Sequence, residues 1–200
     1  MKKFILLNIF LVLLGQFVFA QDDKTEKKIN NYISYMNKTL GGTLTGDQIV
    51  LLKAQRIDFL KELQKVDKYA VKEKRKLEKE FKENRNRILT ENQITVLAIS
   101  RLTRKELSVL RQMFSISKEQ QGELKGELKR MNKMLISARK VYEIDSQQYL
   151  EIDSLVVTSK EYAFNEIFDV EQKKKFEEFK GRYNTIIVKY SERIGVELRN

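Results

Sequence analysis

Apolar side chains recur along this chain at alternating intervals of three and four residues, the spacing of one face of an α-helix. The clearest series runs from Leu124 to Tyr142, and a second runs from Phe176 to Ile194. A third, sparser series connects positions 60, 63, 70, 77, 81 and 88. Alternating, strand-like runs are scarce. The pattern therefore predicts an all-α fold of long amphipathic helices that pack as hairpins.

Two stretches share a Leu-Thr-x-x-Gln pattern, "LTGDQIVLL" at residues 44–52 and "ILTENQITVL" at residues 88–97. Threonine followed three positions later by glutamine predicts a capping box, in which the two residues satisfy each other's backbone N–H groups at a helix start. Weaker copies are "ISKEQ" at 116–120 and "FDVEQKKKF" at 168–176, and "LTRKE" at 102–106 matches only the looser pattern. The motif positions are Leu44, Thr45, Gln48, Leu89, Thr90, Gln93, Ser117, Gln120, Asp169 and Gln172.

The order of the four motifs indicates how the chain is divided. Their leading apolar residues lie at positions 44, 89, 116 and 168, which gives a long, a short and a long interval. This order favours two consecutive helical units, residues 40–114 and a degenerate second unit, residues 115–200, packed with the first. Residues 21–39 are expected to form an N-terminal extension that is partly flexible or helical. The alternative is one longer helical bundle with ordinary caps.

The first twenty residues, "MKKFILLNIFLVLLGQFVFA", have the layout of a secretory signal peptide. Lys2 and Lys3 precede an apolar run, and the small residue Ala20 precedes a polar segment. The apolar run is short for a membrane span, which needs about 20 residues. We therefore expect cleavage after Ala20, a periplasmic location and no integral membrane segment after cleavage. An uncleaved membrane anchor is the alternative.

Histidine and cysteine are absent from the sequence. Their absence excludes Ser-His-Asp and Cys-His nucleophilic sites, His-ligated zinc and disulfides. Carboxylates remain, but they lie in Lys-rich segments such as "KEKRKLEKEFKENR", which are typical of solvated helix faces. We therefore expect no enzyme activity, no catalytic residue, no metal site and no cofactor.

The formal net charge is +11, and two of the positive charges lie in the expected signal peptide. Such a surface attracts acidic or unfolded proteins through long-range electrostatics. Nucleic acid and anionic membranes also attract basic helices. Export argues against nucleic acid, and the apolar helix faces are needed for packing, which argues against membranes. The candidate client-binding residues are Lys72, Lys74, Arg75, Lys76, Arg85, Arg87, Arg101, Arg104, Lys105 and Arg111.

Paired Leu-Thr-x-x-Gln motifs in a small, basic, helical chain with a signal peptide resemble the LTXXQ-motif family of periplasmic stress proteins (Spy/CpxP-like). "GTLTGDQIVLL" resembles the family's first motif and "RNRILTENQ" its second. "EIFDVEQKKKFEEF" is also similar to the second motif, with Phe168 and Asp169 in place of Leu-Thr. The resemblance implies a bent cradle of long helices formed by a homodimer. Because this chain holds four motifs, two tandem Spy-like units forming a single-chain pseudo-dimer are the other possibility.

The first functional expectation from this resemblance is a periplasmic, ATP-independent chaperone-like or stress-response protein. It would bind unfolded or partly folded exported proteins, or acidic clients, through its basic cradle. The alternatives are an inhibitory or adaptor protein that binds the periplasmic domain of an envelope-stress sensor, and a structural helical protein of the envelope. A metal-binding branch of the family ligates metals largely through histidine, so that function is not transferred to this chain.

Overall fold

The computed structural model describes residues 24–196 and residue 198. The expected signal peptide and its cleavage site lie outside the described residues. The described chain forms helix α1 at residues 24–39, followed by α2 (Gly46–Lys65), α3 (Val71–Ile88), α4 (Glu91–Phe114), α5 (Lys118–Val141), α6 (Gln147–Ile167) and α7 (Val170–Ile194). No strand occurs in these residues, so the all-α prediction is confirmed.

The chain folds into two compact units, the first ending at Glu91 and the second beginning at Asn92. Unit 1 contains α1–α3 and unit 2 contains α4–α7. This boundary differs from the one that the motif order placed after residue 114. The reason is that α4 buries Leu102, Val109 and Phe114 in the same core as the apolar faces of α5, α6 and α7. The bent cradle and its pseudo-dimeric form stay predictions.

Helices α2 and α3 form an antiparallel hairpin in unit 1. The side-chain amide nitrogen Nε2 of Gln48 donates to the carbonyl oxygen of Ile88 at 3.0 Å, and that of Gln55 donates to the carbonyl oxygen of Phe81 at 2.8 Å. Because a step of seven residues forward on α2 matches the same step backward on α3, the two helices run in opposite directions. The third apolar series is therefore divided between two helices, and its members are only half-buried.

An arginine lies among aromatic rings contributed by the three helices of unit 1. The ring of Phe81 on α3 is 5.8 Å from that of Tyr32 on α1 and 4.6 Å from that of Phe59 on α2. The Cζ atom of Arg56 lies 5.1 to 5.5 Å from all three ring centroids. Burial lowers the pKa of Arg56, and the ring faces offset part of the desolvation through cation–π attraction. This cluster fixes α1 against the hairpin.

Unit 2 is built on the two clearest apolar series of the sequence. In α5 the series is buried from Leu124 through Ala138, and in α7 Phe176, Tyr183 and Ile187 are buried. The ring of Phe176 meets that of Phe114 edge-on, with 5.5 Å between centroids. Such edge-to-face pairs stabilise a core beyond the area that they bury. The core of unit 2 therefore has an aromatic centre shared by α4, α6 and α7.

The structure forms the predicted capping boxes at Thr45–Gln48, Ser117–Gln120 and Asp169–Gln172, with both hydrogen bonds present in each. Helix α4 begins at Glu91, directly after Thr90, which is where an N-cap residue lies. Its Gln93 is buried. The looser match "LTRKE" starts no helix, because residues 102–106 lie in the interior of α4.

The motif glutamines also bind the end of the opposite hairpin arm. Oε1 of Gln120 accepts from the backbone N–H of Ser117 at 2.8 Å, while its Nε2 donates to the carbonyl oxygen of Ile167 at 2.8 Å. Gln48 repeats both bonds, with Ile88 as the carbonyl partner. Ile167 and Ile88 are the last residues of α6 and α3, whose terminal carbonyls lack helical partners. Glutamate can complete a capping box but has no N–H for that carbonyl, so the contact requires glutamine.

The two hairpins, α2–α3 and α5–α6, correspond in their connections. Each has a five-residue connection, residues 66–70 and residues 142–146. Helix α5 has 24 residues against 20 in α2, and α6 has 21 against 18 in α3. Each arm of the second hairpin is thus longer by about one helical turn, which preserves the faces that meet. The two hairpins therefore correspond in connection length and arm length, and the repeat of two units stays a prediction.

The amide of Gln120 is testable by a substitution that retains the capping box. Gln120→Glu keeps the acceptor for the N–H of Ser117 but places a carboxylate beside the carbonyl of Ile167. Since that carbonyl and Oε1 of Gln172 both lose the Nε2 donor of Gln120, we expect the free energy of unfolding to fall by about 1–3 kcal/mol in urea denaturation.

Gln148→Glu is the matched control, because it places the same carboxylate in the exposed first turn of α6. It should change stability by no more than about 0.5 kcal/mol. Equal effects of the two substitutions would show that the bond to Ile167 contributes nothing.

Candidate functional site

A fully buried carboxylate joins the four helices of unit 2. Glu106 on α4 has no exposed surface. Its Oε1 accepts from Nζ of Lys160 on α6 at 2.5 Å and from the hydroxyl of Tyr183 on α7 at 3.1 Å. Its Oε2 accepts from Nδ2 of Asn132 on α5 at 2.5 Å. Each of the other three helices therefore supplies one donor to the same side chain, which we call the Glu106 network.

The amide of Asn132 completes this network. Its Oδ1 accepts from Nζ of Lys160 at 3.0 Å, and its Nδ2 also donates to Oγ1 of Thr103 at 3.2 Å. Thr103 and Glu106 are the threonine and glutamate of the "LTRKE" segment, one turn apart on α4. That segment is therefore part of a buried polar cluster rather than a helix start.

The phenol of Tyr183 stays protonated within the network. Burial raises its pKa well above 10.0, and the nearby negative charge of Glu106 and the hydrogen bond to it raise it further. A protonated phenol is the form that can donate to a carboxylate. Tyr183 therefore acts as a fixed donor, and its ring also packs edge-on against Phe164 with 6.0 Å between centroids.

Next to this network lies a cavity of about 240 Å³. Its polar surface includes Glu106, Lys160 and Tyr183. The apolar part of its wall comes from α5, α6 and α7 together with Leu198, and includes Leu135, Val156, Phe164, Phe176 and Ile187. Asp153 and Glu161 add two further carboxylates to the lining. The cavity therefore combines a buried ion pair with mostly hydrocarbon walls.

The basic residues singled out from the sequence differ in their exposure. Six belong to unit 1 on α3, and four belong to unit 2 on α4. Lys74, Arg101 and Lys105 are half-buried. The exposed ones are Lys72, Arg75, Lys76, Arg87, Arg104 and Arg111.

Arg85 does not fit the role that the sequence analysis gave it. It is only 4% exposed, and its guanidinium donates to Oδ1 of Asn86 at 2.7 Å. A buried side chain cannot contact a client at the surface, so Arg85 is removed from the candidates. The run "RNR" suggested a solvated cluster because a charge run alone does not show which of its members faces the protein.

Large apolar side chains are exposed on both units. In unit 1 they are Val50 (66%), Leu51 (53%), Tyr69 (77%) and Val71 (54%). In unit 2 Tyr162 is 68% exposed and lines an open groove of about 580 Å³ between α5 and α6. Exposed apolar side chains mark a protein-binding surface where they lie together, and Val50 with Leu51, and Tyr69 with Val71, are close neighbours along the chain.

Residues 24–196 and 198 contain neither a candidate metal site nor a candidate membrane span. In that part of the chain no group of three or more Asp and Glu side chains is arranged to hold a metal ion. None of its helices has the length and hydropathy of a membrane span.

The sequence analysis missed the Glu106 network. A signal was present, because Glu106 interrupts an apolar face of α4 formed by Leu102, Val109 and Leu110. A charged residue at a core position is rarely buried without a partner. Its partners, however, lie 26 to 77 residues away along the chain, so no local pattern could identify them.

No protein-family model, curated protein or solved structure matches this chain. The resemblance to the LTXXQ-motif family thus rests on the quoted motifs and stays a prediction.

Replacing one member of the buried ion pair should be far more damaging than replacing both. Lys160→Met leaves the Glu106 carboxylate buried without its cation, so we expect the free energy of unfolding to fall by about 3–5 kcal/mol in urea denaturation. The double variant Glu106→Gln/Lys160→Met removes both charges and should regain most of that loss.

Lys133→Met, at an exposed position of α5, is the control for replacing a lysine by methionine. It should change stability by less than about 0.5 kcal/mol. If Lys160→Met lowers the free energy of unfolding no more than Lys133→Met does, the ion pair between Lys160 and Glu106 does not stabilise the fold.

The raised pKa of Tyr183 predicts a stability loss in alkali. The folded state holds the phenolic proton more tightly than the unfolded state, whose pKa is about 10. The contribution is therefore complete below about pH 10 and is lost as pH rises toward the folded-state pKa. Thermal unfolding followed against pH should show this decline, and Tyr183→Phe should flatten it. Tyr162→Phe, at a 68% exposed position, is the control and should leave the decline unchanged.

Proposed function

We propose that this protein is an exported, ATP-independent chaperone-like protein of the stress response, which binds unfolded or acidic clients on basic helical surfaces. The observation that carries the proposal is the combination, in unit 1, of exposed apolar side chains with the basic helix α3. The signal-peptide pattern and the resemblance to the LTXXQ-motif family agree with this role.

Helix α3 is the most basic element of the described chain. It carries eight Lys and Arg side chains against four glutamates. Two of the glutamates lie 3.9 Å from lysines one turn away, Glu80 from Lys76 and Glu83 from Lys79. Exposed pairs of this kind contribute only about 0.2–1 kcal/mol. The lysines thus remain available to an acidic client, and the excess positive charge attracts one from a distance.

Exposed apolar side chains lie at the start of α3, where they can contact a client. Tyr69 and Val71, both more than half exposed, directly precede Lys72 in the chain. Nζ of Lys68 lies 4.8 Å from the centroid of the Tyr69 ring. A client segment drawn in by charge therefore meets an aromatic and an aliphatic side chain beside the lysines.

The size of these patches favours weak and multiple contacts. Burial of apolar surface contributes about 2.5 kcal/mol per 100 Å², whereas even a millimolar complex needs about 4 kcal/mol. One small patch therefore cannot retain a client, but several patches on one chain can act together. In unit 2 the groove lined by Tyr162, which is 68% exposed, supplies a second patch. Contacts of this strength leave a bound client free to rearrange.

The proposal predicts suppression of client aggregation without nucleotide. A heated or reduced client should aggregate less in the presence of the purified protein at low salt, as measured by light scattering. Since the Debye length falls from about 10 Å at 0.1 M salt to about 3 Å at 1 M, high salt should weaken suppression. Absence of suppression at several-fold molar excess would refute the proposal.

A matched pair of variants locates the effect on α3. The triple change of Lys72, Arg75 and Lys76 to Gln should raise the protein concentration for half-suppression at least about twofold, because it removes the attraction that steers the client. The same change at Lys125, Lys129 and Lys133 removes equal charge from exposed positions of α5 and should have a smaller effect. If the two triple variants raise the concentration for half-suppression equally, net charge alone explains binding and α3 has no special role.

Crosslinking in cells distinguishes the chaperone role from the other two. A broad set of exported proteins among the crosslinked partners favours the chaperone role. One dominant membrane sensor would favour an inhibitory or adaptor protein instead. Neither client binding nor stress induction is expected of a purely structural envelope protein.

A further inference from the structure

The side chain of Lys160 offers an N–H group to the cavity of unit 2. It is 12% exposed and lines the cavity. Among the described residues it has two acceptors, Oε1 of Glu106 and Oδ1 of Asn132. A lysine ammonium has three N–H donors, so one donor remains for a molecule in the cavity. Much of the remaining cavity wall is hydrocarbon, and Val156 and Ile187 contribute to it.

The charges around the cavity select among possible ligands. Glu106 already neutralises Lys160, and the lining contains two more carboxylates, Asp153 and Glu161. A second anion at Lys160 would be desolvated close to the Glu106 carboxylate, and like charges about 4 Å apart repel by several kcal/mol in a partly buried site. An organic cation would meet the remaining N–H of Lys160 as a donor facing a donor. Of the two further carboxylates, Glu161 already lies 3.9 Å from Nζ of Lys180, and Asp153 has an interaction of its own.

We propose that this cavity binds a small neutral molecule with an apolar body and one hydrogen-bond acceptor oxygen, such as a ketone, held by the free N–H of Lys160. The volume of about 240 Å³ corresponds to about eight water molecules at about 30 Å³ each. A chain of about six carbons therefore matches the space. This site is separate from the exposed surfaces proposed for clients, so either proposal can fail without the other.

Three probes of equal chain length test the chemistry, namely 2-hexanone, hexanoate and hexylamine. Titration followed by methyl NMR should give saturable shifts at Val156 and Ile187 with 2-hexanone. Because repulsion from Glu106 disfavours hexanoate and hexylamine offers no acceptor to Lys160, we expect 2-hexanone to bind at least about fivefold more tightly than the other two. Equal binding of all three, preference for hexanoate or hexylamine, or binding by none would overturn the proposal, the last meaning that only water meets Lys160.

The variant Glu106→Met/Lys160→Met removes the donor and leaves neither a buried charge nor a new N–H group. It should lose the preference for 2-hexanone, while Lys133→Met, remote from the cavity lining, should keep it. An unchanged preference in the double variant would also overturn the proposal. If the double variant fails to fold by its NMR spectrum, the probe series on the unaltered protein decides the outcome alone.

Discussion

The amide of Gln120 satisfies two helix ends with one side chain. A helix leaves four N–H groups unpaired at its start and four carbonyls at its end, and every hairpin has one start and one end near each other. The amide oxygen of Gln120 serves the start of α5, and its nitrogen serves the end of α6. Since the chain contains neither proline nor cysteine, its corners depend on such hydrogen bonds and on packing. The register of the hairpin follows from this contact.

The second polar constraint acts inside unit 2, where Glu106 takes a donor from each neighbouring helix. Apolar residues alone allow helices to slide by a turn with little change in buried area. A buried carboxylate does not, because any other register leaves it or its partners unpaired at a cost of several kcal/mol. The network therefore selects one arrangement of α4–α7, while the aromatic core supplies most of the attraction. The cavity lies where these polar and aromatic regions meet.

Local patterns in the sequence were enough for part of this fold. The three-and-four spacing predicted the buried faces of α5 and α7, and capping chemistry predicted the starts of α2, α5 and α7, because both depend on residues within a few positions of each other. The same spacing could not show the turn at residues 66–70, since the third series continues across it. Nor could it show that Arg85 is buried or that Glu106 meets Tyr183, because both depend on residues distant in sequence. The boundary between the compact units also differs from the predicted one, because the packing of α4 depends on residues of α5–α7 that are distant in sequence.

The chemistry of glutamine explains why the motif ends in that residue. The capping box alone accepts either glutamate or glutamine at its last position, so four glutamines in four motifs need a further cause. At Gln48 and Gln120 that cause is the carbonyl of the returning helix. At Gln172 it is the amide of Gln120. Nε2 of Gln172 donates to Oε1 of Gln120 at 3.2 Å, and Oε1 of Gln172 accepts from Nε2 of Gln120 at 2.8 Å. At these three positions the motif thus marks where helix ends meet as well as where one helix begins. Its two long intervals, 44–89 and 116–168, each span one hairpin, so its spacing carries information about the fold.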